Sequence, residues 1–251
     1  VFVNILLSND DGYKSPGLDV LKNSLNKFGK ITIVAPHRDI SASSSCLSVH
    51  SQVKTIKISD NFYKVHGTPA DCVHIGASAI MNKYPDIVFS GVNFGSNMGD
   101  DVIYSGTVGA AIEGRHARYG AFAISITSKS PKFLNDINSI VDYIVEYVFR
   151  NLKPYRTIFN INIPNLPASK IRGIKLTTLG SRKISKKAIN VSKKKEILFE
   201  IGDVGAGIPR RGNDFYAISK GFISVTPLTI NMTNKTIYEK VKKTLWILNR
   251  F

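Results

Sequence analysis

Four runs of this chain, FVNILL (residues 2–7), ITIVAP (31–36), DIVF (86–89) and AFAISI (121–126), are apolar almost without interruption. A strand with one wet face alternates apolar and polar residues, whereas one apolar at nearly every position is covered on both faces, as in a parallel sheet sandwiched by helices. The connections have the length and punctuation of such crossovers. After the first run, Ser15-Pro16-Gly17 offers a cap and a proline for the first helical turn, Leu18, Leu21, Leu25 and Phe28 recur at helical spacing, and Gly29 ends the pattern. Thr68-Pro69-Ala70-Asp71 places a hydroxyl, a proline and an acid as a capping box needs, ahead of a small apolar helix over 72–81. A further helix over 107–118 precedes AFAISI. The alternation predicts an α/β fold with a doubly wound, mainly parallel sheet.

The rhythm holds through residues 1–130, which we assign to the core of the fold, and loosens in 131–251. VKTIKI (53–58) and FYKV (62–65) alternate as half-buried strands do. Beyond a helix over 135–150 and the strand TIFNINIP (157–164), IRGIKLTTLG (171–180) and KKEILFEIG (194–202) read as strands flanking a Lys-rich stretch, and 236–248 reads as a final amphipathic helix. A long hairpin that buries little within its own subunit needs a partner, so an oligomer is expected.

The length of 251 residues suits one large α/β unit with an appendage, and no apolar run reaches the length of a membrane span. No charged-then-apolar leader opens the chain, so a cytoplasmic location is expected. Cys46 and Cys72 are too few for a disulfide framework, lack zinc-binding spacing, and are expected to be reduced and packed. The net charge of +16 is compatible with nucleic acid, an anionic surface or small anionic substrates. Seven of the 34 basic residues fall in RKISKKAINVSKKKE (182–196), which argues against a recognition domain built around a basic helix. Many of the lysines also fit plain solvated positions.

The first apolar run ends in Asn9-Asp10-Asp11-Gly12. Adjacent carboxylates raise each other's cost of ionisation unless a cation or donors sit nearby, although an Asp-Gly pair also suits a solvated turn. In open α/β sheets, ligands bind beyond the carboxyl ends of the strands. Three such ends here carry oxygen: Asp10 and Asp11 after the first strand, Ser41 after the second, Asn93 after DIVFSGV. Carboxylates, a hydroxyl and an amide oxygen without His or Cys suit a hard cation such as Mg²⁺ or Mn²⁺. Ser105, Gly106 and Thr107 open a helix of small residues whose backbone N–H groups and hydroxyls suit an anion, phosphate above all, and equally suit an ordinary capped helix packed tightly on the sheet. Neither GxxxxGK[ST] nor GxGxxG after the first strand is present, which weighs against kinase and dehydrogenase readings. None of His37, His50, His66, His74 and His116 stands in a nucleophile setting, and no GxSxG frames the serines at 41–45.

The segments ILLSNDDGYKSPGL, IVAPHRDISASSS, HGTPADCV, PDIVFSGVNFGSNMGDDVIYSGTVGAAIEGR and GFISVTPL, in that order from near residue 4 to about residue 230, resemble the successive signatures of the SurE family of survival phosphatases. The resemblance implies a Rossmann-like core and a phosphomonoesterase that hydrolyses nucleoside 5′-monophosphates, with 3′-monophosphates as further candidate substrates. It implies one divalent ion per subunit, held by Asp10, Asp11, Ser41 and Asn93; beside such an ion either Asp10 or Asp11 suits the base that takes a proton from water. Within that frame Asn9 and the 105–107 helix start hold the phosphate, and Asn97 adds a donor. The resemblance further implies a C-terminal hairpin and terminal segment exchanged between subunits of a homodimer or homotetramer, with no membrane and no specific nucleic acid as partner. Departures at Phe199-Glu200, at Gly212-Asn213-Asp214 and in the proline-free stretch 119–123 lie outside the ligand set and bear on substrate preference and hairpin packing. The competing reading is a basic, non-catalytic nucleotide- or RNA-binding module resting on the 182–195 run.

Overall fold

A computed structural model describes residues 2–151, 153–192, 196–202 and 204–245. The chain runs β1 (Val3–Ser8), α1 (Pro16–Leu25), β2 (Gly29–Pro36), β3 (Thr55–Ser59), β4 (Phe62–Val65), α2 (Pro69–Ile75), β5 (Ile87–Phe94), α3 (Gly106–Glu113) and β6 (Ala121–Ile126). It continues through α4 (Leu134–Arg150), β7 (Ile158–Ile163), β8 (Ile174–Leu176), β9 (Ile189–Asn190), β10 (Phe199–Glu200), α5 (Asp214–Ser219), β11 (Ile223–Leu228) and α6 (Lys235–Leu245). Nine strands form one sheet in the order β3-β4-β2-β1-β5-β6-β7-β11-β8. From β4 to β7 all neighbours are parallel; β3 and β11 join antiparallel.

The chain leaves β1 towards β2 on one side, then returns to place β5, β6 and β7 on the other. The winding therefore reverses between β1 and β5, and a crevice opens at their carboxyl ends. Alternation within β1 divides the core: Ile5 and Leu7 face α1 and α4, packing with Leu18, Leu21, Val141 and Phe89, while Leu6 joins Val34, Val73, Val88 and Val108 under α2 and α3. Gly17 lets the first turn of α1 lie on β5, since a Cβ there would stand 2.0 Å from the Val92 carbonyl oxygen. The start of α1 is thus held close to the end of β5.

Local chemistry accounts for most boundaries. The Thr68–Asp71 capping box forms as read, with the Thr68 hydroxyl accepting from the Asp71 N–H and the Asp71 carboxylate accepting from the Thr68 N–H. Several expectations need correction. The helix expected over 72–81 starts at Pro69 and passes into a π-helical turn at Gly76–Ile80. The one expected over 107–118 is α-helical only to Glu113, where Gly114 packs on Val88 so closely that a Cβ would overlap it, and a 3₁₀ turn follows. IRGIKL does not begin the hairpin: β8 pairs with β11 in the main sheet, anchored by the Thr177 hydroxyl against those of Ser224 and Thr226. The arm instead leaves the body at Arg182, which bridges to Gly207, and carries the two-residue pair β9–β10. Cys46 is exposed rather than packed, while Cys72 is buried. Of the basic run, Lys193 to Lys195 lie outside the described residues, as do positions 246–248 of the expected last helix.

Candidate active site

The turn after β1 is built by Asn9, which is 0% exposed and donates from Nδ2 to the Gly12 carbonyl at 2.9 Å. Gly12 takes φ +98°, a left-handed conformation that glycine adopts without strain, and the chain then meets the loop after β2. Two backbone bonds join these loops: Tyr13 N–H to Pro36 O at 2.8 Å and Ile40 N–H to Asp10 O at 2.9 Å. The serine loop is tied in turn to the approach to α3, where Ser44 donates from its N–H to Tyr104 O and from Oγ to Ile103 O. Loops distant in sequence converge at the switch point.

Asp10 is 4% exposed and sits against the first turn of α3. Its Oδ1 accepts from the Thr107 hydroxyl at 2.6 Å, and the Thr107 backbone N–H also donates to it. A Cβ on Gly106 would lie 2.9 Å from the Asp10 Cβ, so only glycine leaves room for that approach. Burial nevertheless pushes the Asp10 carboxyl above the usual range, against the bonds from Thr107. Asp11 is pushed up to about 7, first by burial and then by the charges of Asp10 and Asp39, with the Phe94 N–H opposing. Its Oδ2 is buried and has no partner, and neither has the Oδ1 of Asn9.

A cleft of about 360 Å³ is lined by Asp11, Ser15, Pro16, Asp39, Ser41, Phe94 and Lys129. Ser41 reaches it in a tight turn, donating from both N and Oγ to Asp39 Oδ1 at 2.8 and 2.6 Å. Asn93 lies at the end of β5, beside Phe94, and donates from Nδ2 to Gly95 O at 2.8 Å, which leaves its carbonyl oxygen for another guest. Ser105 caps α3 by accepting from the Val108 N–H. Asn97 stands behind this group: its Nδ2 donates to Ser125 Oγ at 2.8 Å and to Thr107 Oγ1 at 3.4 Å, and its carbonyl accepts from Asn160 and Asn162. The amide of Asn97 thereby braces Thr107, which in turn holds Asp10.

Asp39 and Lys129 were missed from the sequence. Both follow carboxyl ends of parallel strands, β2 and β6, so the rule that found Asp10, Ser41 and Asn93 extends to them. Among the described residues no three of His, Cys, Asp and Glu group to hold a metal. A cation here would rest on two carboxylates supplemented by neutral oxygens. The donor set fits that role: an unpartnered buried carboxylate oxygen, an amide oxygen freed by the bond to Gly95, a hydroxyl, and no nitrogen or sulfur.

Comparison with known proteins agrees with this architecture. Residues 5–186 match the family described as Survival protein SurE. The chain is 40% identical over 251 residues to the 5′-nucleotidase SurE of Stutzerimonas stutzeri, covering 98% of this chain and 99% of the relative. It is 41% identical to that of Histophilus somni, covering 92% and 94%. The crystal structure of the SurE protein from Aquifex aeolicus superposes with a TM-score of 0.83 at 36% identity, covering 96% of this chain and 99% of that one.

Proposed function

Because the chain belongs to the SurE family, we propose that it works as the matched relatives are named, as a 5′-nucleotidase hydrolysing nucleoside monophosphates, with a divalent cation at the β1–β5 crevice. The observation that carries the reading is the pair Asp10–Asp11 at the switch point, with Asp10 buried beside the start of α3 and the half-buried Asp11 holding one carboxylate oxygen out of water and unpartnered. Buried like charges of this kind are tolerated when a counter-charge joins them.

Asp10, Asp11, Ser41 and Asn93 hold the cation, Mg²⁺ or Mn²⁺. When bound, such an ion neutralises charge on phosphate oxygens and makes water more acidic. The protein supplies the remaining parts. Ser105, Gly106 and Thr107 present the start of α3 to the anion, where N–H groups and the helix dipole favour negative charge. Thr107 holds Asp10 in register, and Asn97 holds Thr107. Asn9 keeps its buried Oδ1 at the base of the site. Asp11 is the better placed of the two acids to take a proton from attacking water, because it lines the cleft while Asp10 is committed to Thr107.

The same reading covers the assembly. Ile184 is 97% exposed and Ile201 86% exposed on the arm, with Ile197 and Phe199 also bare. On α6, Ile237, Tyr238 and Val241 are exposed. Two-residue strands do not hold an isolated ribbon in water. A homodimer or homotetramer in which arm and α6 pack on a second copy accounts for both. A cytoplasmic location accords with two unpaired cysteines and, among the described residues, no helix long and apolar enough to cross a membrane.

The test is phosphate release from 5′- and 3′-nucleoside monophosphates with Mg²⁺, with Mn²⁺ and with chelator. Cleavage that chelator stops and the metal restores is expected. Turnover indifferent both to chelator and to Asp11→Asn would remove the site from the reaction.

A further inference from the structure

The ends of β2 and β4 carry a cluster that the chemistry above does not use. His37, just past β2, and His66, just past β4, stack with ring centroids 4.2 Å apart and planes 16° from parallel. The backbone fixes both: His37 N–H donates to Val65 O and His66 N–H to Lys54 O, each at 2.8 Å. Arg38, Lys54 and Lys64 act on His66 together with His37, every one of them a positive or potentially positive group. Lys64 and Lys14 lie over the Tyr13 ring at 5.2 and 5.6 Å. Among the described residues no ion pair engages Arg38, Lys54 or Lys64. The neighbouring acid, Asp39, accepts from Ser41 at Oδ1. His37 Nδ1 is buried without a partner.

Cations with no carboxylate paired to them repel one another, and a stacked imidazole pair adds to the cost whenever either ring is protonated. An oxyanion relieves all of these at once. The donors also differ usefully: a guanidinium fork, ammonium groups and ring N–H groups suit the several oxygens of one phosphoryl group. The location ties the cluster to the catalytic cleft, because a Cβ on Gly12 would stand 2.9 Å from the Arg38 carbonyl carbon, and Gly12 follows Asp11 directly.

We propose that His37, His66, Arg38, Lys54 and Lys64 form a second oxyanion site flanking the catalytic cleft on the β2–β4 side, which takes a phosphoryl group, either a second phosphate carried by the substrate or free inorganic phosphate. Binding of free phosphate there does not depend on the reading of the catalytic site. Only the substrate-borne case rests on it.

Inorganic phosphate is titrated into the full chain in chelator at pH 8, above the Asp11 value of about 7, while calorimetry gives the affinity and the imidazole resonances of His37 and His66 report the place. Both resonances are expected to move. Lys54→Ala combined with Lys64→Ala is expected to weaken binding about a hundredfold, the size of two charge-assisted hydrogen bonds lost. Lys57→Ala, on the same hairpin but paired with Asp60 at 2.7 Å, is expected to leave it unchanged. A lower KM for a nucleoside 3′,5′-bisphosphate than for the 5′-monophosphate, with the advantage lost in the double variant, identifies the substrate as the source. Equal KM values with phosphate binding intact identify free phosphate. Resonances unmoved at millimolar phosphate together with equal KM values overturn the proposal, and so does binding that the double variant leaves untouched.

Discussion

The crevice between β1 and β5 and the arm that leaves the body at Arg182 break the ordinary pattern of a folded surface in opposite ways. In the crevice polar atoms are buried and unpartnered: Asp11 Oδ2, Asn9 Oδ1 and Ser43 Oγ. On the arm, apolar side chains from Ile184 to Val204 stand in water. Under the proposed function a cation would answer the unpartnered carboxylate and amide oxygens, and a second copy of the chain would cover the bare isoleucines. The two regions thus depart from an ordinary surface in opposite senses, one in buried polar atoms and the other in exposed apolar ones.

The sharpest way to break that contrast is at the carboxylates. Asp11→Asn keeps the shape of the turn and removes the charge, so nucleotide turnover with saturating Mn²⁺ should fall about a thousandfold, the order lost when a main electrostatic group is removed, while circular dichroism stays unchanged. Activity within a few fold of the parent would show that the orphaned oxygen reports only a strained turn. On the arm the corresponding change is Ile184→Asp with Ile201→Asp. Each exposed isoleucine buried in an interface contributes about 1.5–3 kcal/mol, so the pair should weaken self-association by at least about a hundredfold, read as a fall to monomer mass in light scattering. A chain that stays assembled would place the interface elsewhere.

The two regions also differed in how far the sequence disclosed them. The crevice was readable because unbroken apolar runs such as ITIVAP point to a parallel sheet, and a parallel sheet has one ligand-binding edge; Asp10, Asp11, Ser41 and Asn93 follow from counting strand ends. Counting stopped one strand early, at Lys129 after β6, and passed over Asp39, whose acid side chain looks like ordinary loop polarity until Ser41 is seen to bond to it. Asn97 read as a substrate donor because it stands in a Gly-rich loop. Its amide is instead engaged by Ser125 and Thr107, a packing fact with no local signal. The arm was legible only in kind. Alternation in IRGIKL fits a hairpin strand as well as a sheet edge, and the choice is made by hydroxyls on β11 nearly fifty residues away.

A smaller effect separates the crevice from a plain buried turn. The Asp11 carboxyl sits at about 7 in the folded chain against an ordinary value of 3.8, so between these pH values the folded state carries more proton than the unfolded one. Stability of the chelated protein should therefore fall as pH rises from about 4 to about 7 and level off above. Asp10, raised in the same direction, adds to the slope. Because Asp11 is partly exposed, about 1 kcal/mol survives solvent screening, which is a change of about 2–4 °C in Tm for a chain of this size. Adding Mn²⁺ at pH 8 should recover the loss, and Asp11→Asn should flatten the profile. A chelated parent whose Tm rises from pH 4 to 7 would contradict the burial argument.

The last comparison is whether the regions are independent at all. Arg182 stands at the root of the arm, and its Nε donates to Asp101 Oδ1 at 2.7 Å with a second bond from the same guanidinium to Asp101 Oδ2, while Nη1 holds the Gly205 carbonyl across the arm at 2.8 Å. The Arg182 N–H also donates to Asp100 Oδ2. Asp100 and Asp101 belong to the 3₁₀ turn that leads into Ser105 and Thr107, and so to Asp10. Asp214 fastens the same joint, accepting from Gly99 N–H at 2.7 Å and Gly180 N–H at 2.9 Å. Arg182→Ala leaves Asp101 half-buried without its fork and costs about 1–3 kcal/mol locally, yet touches no atom of the crevice. If arm and site act separately, oligomer mass shifts and kinetics do not. The continuous chain of bonds argues otherwise: kcat should drop a few fold with KM nearly unchanged, and Arg182→Lys, which keeps the charge but not the fork, should recover only part of the loss.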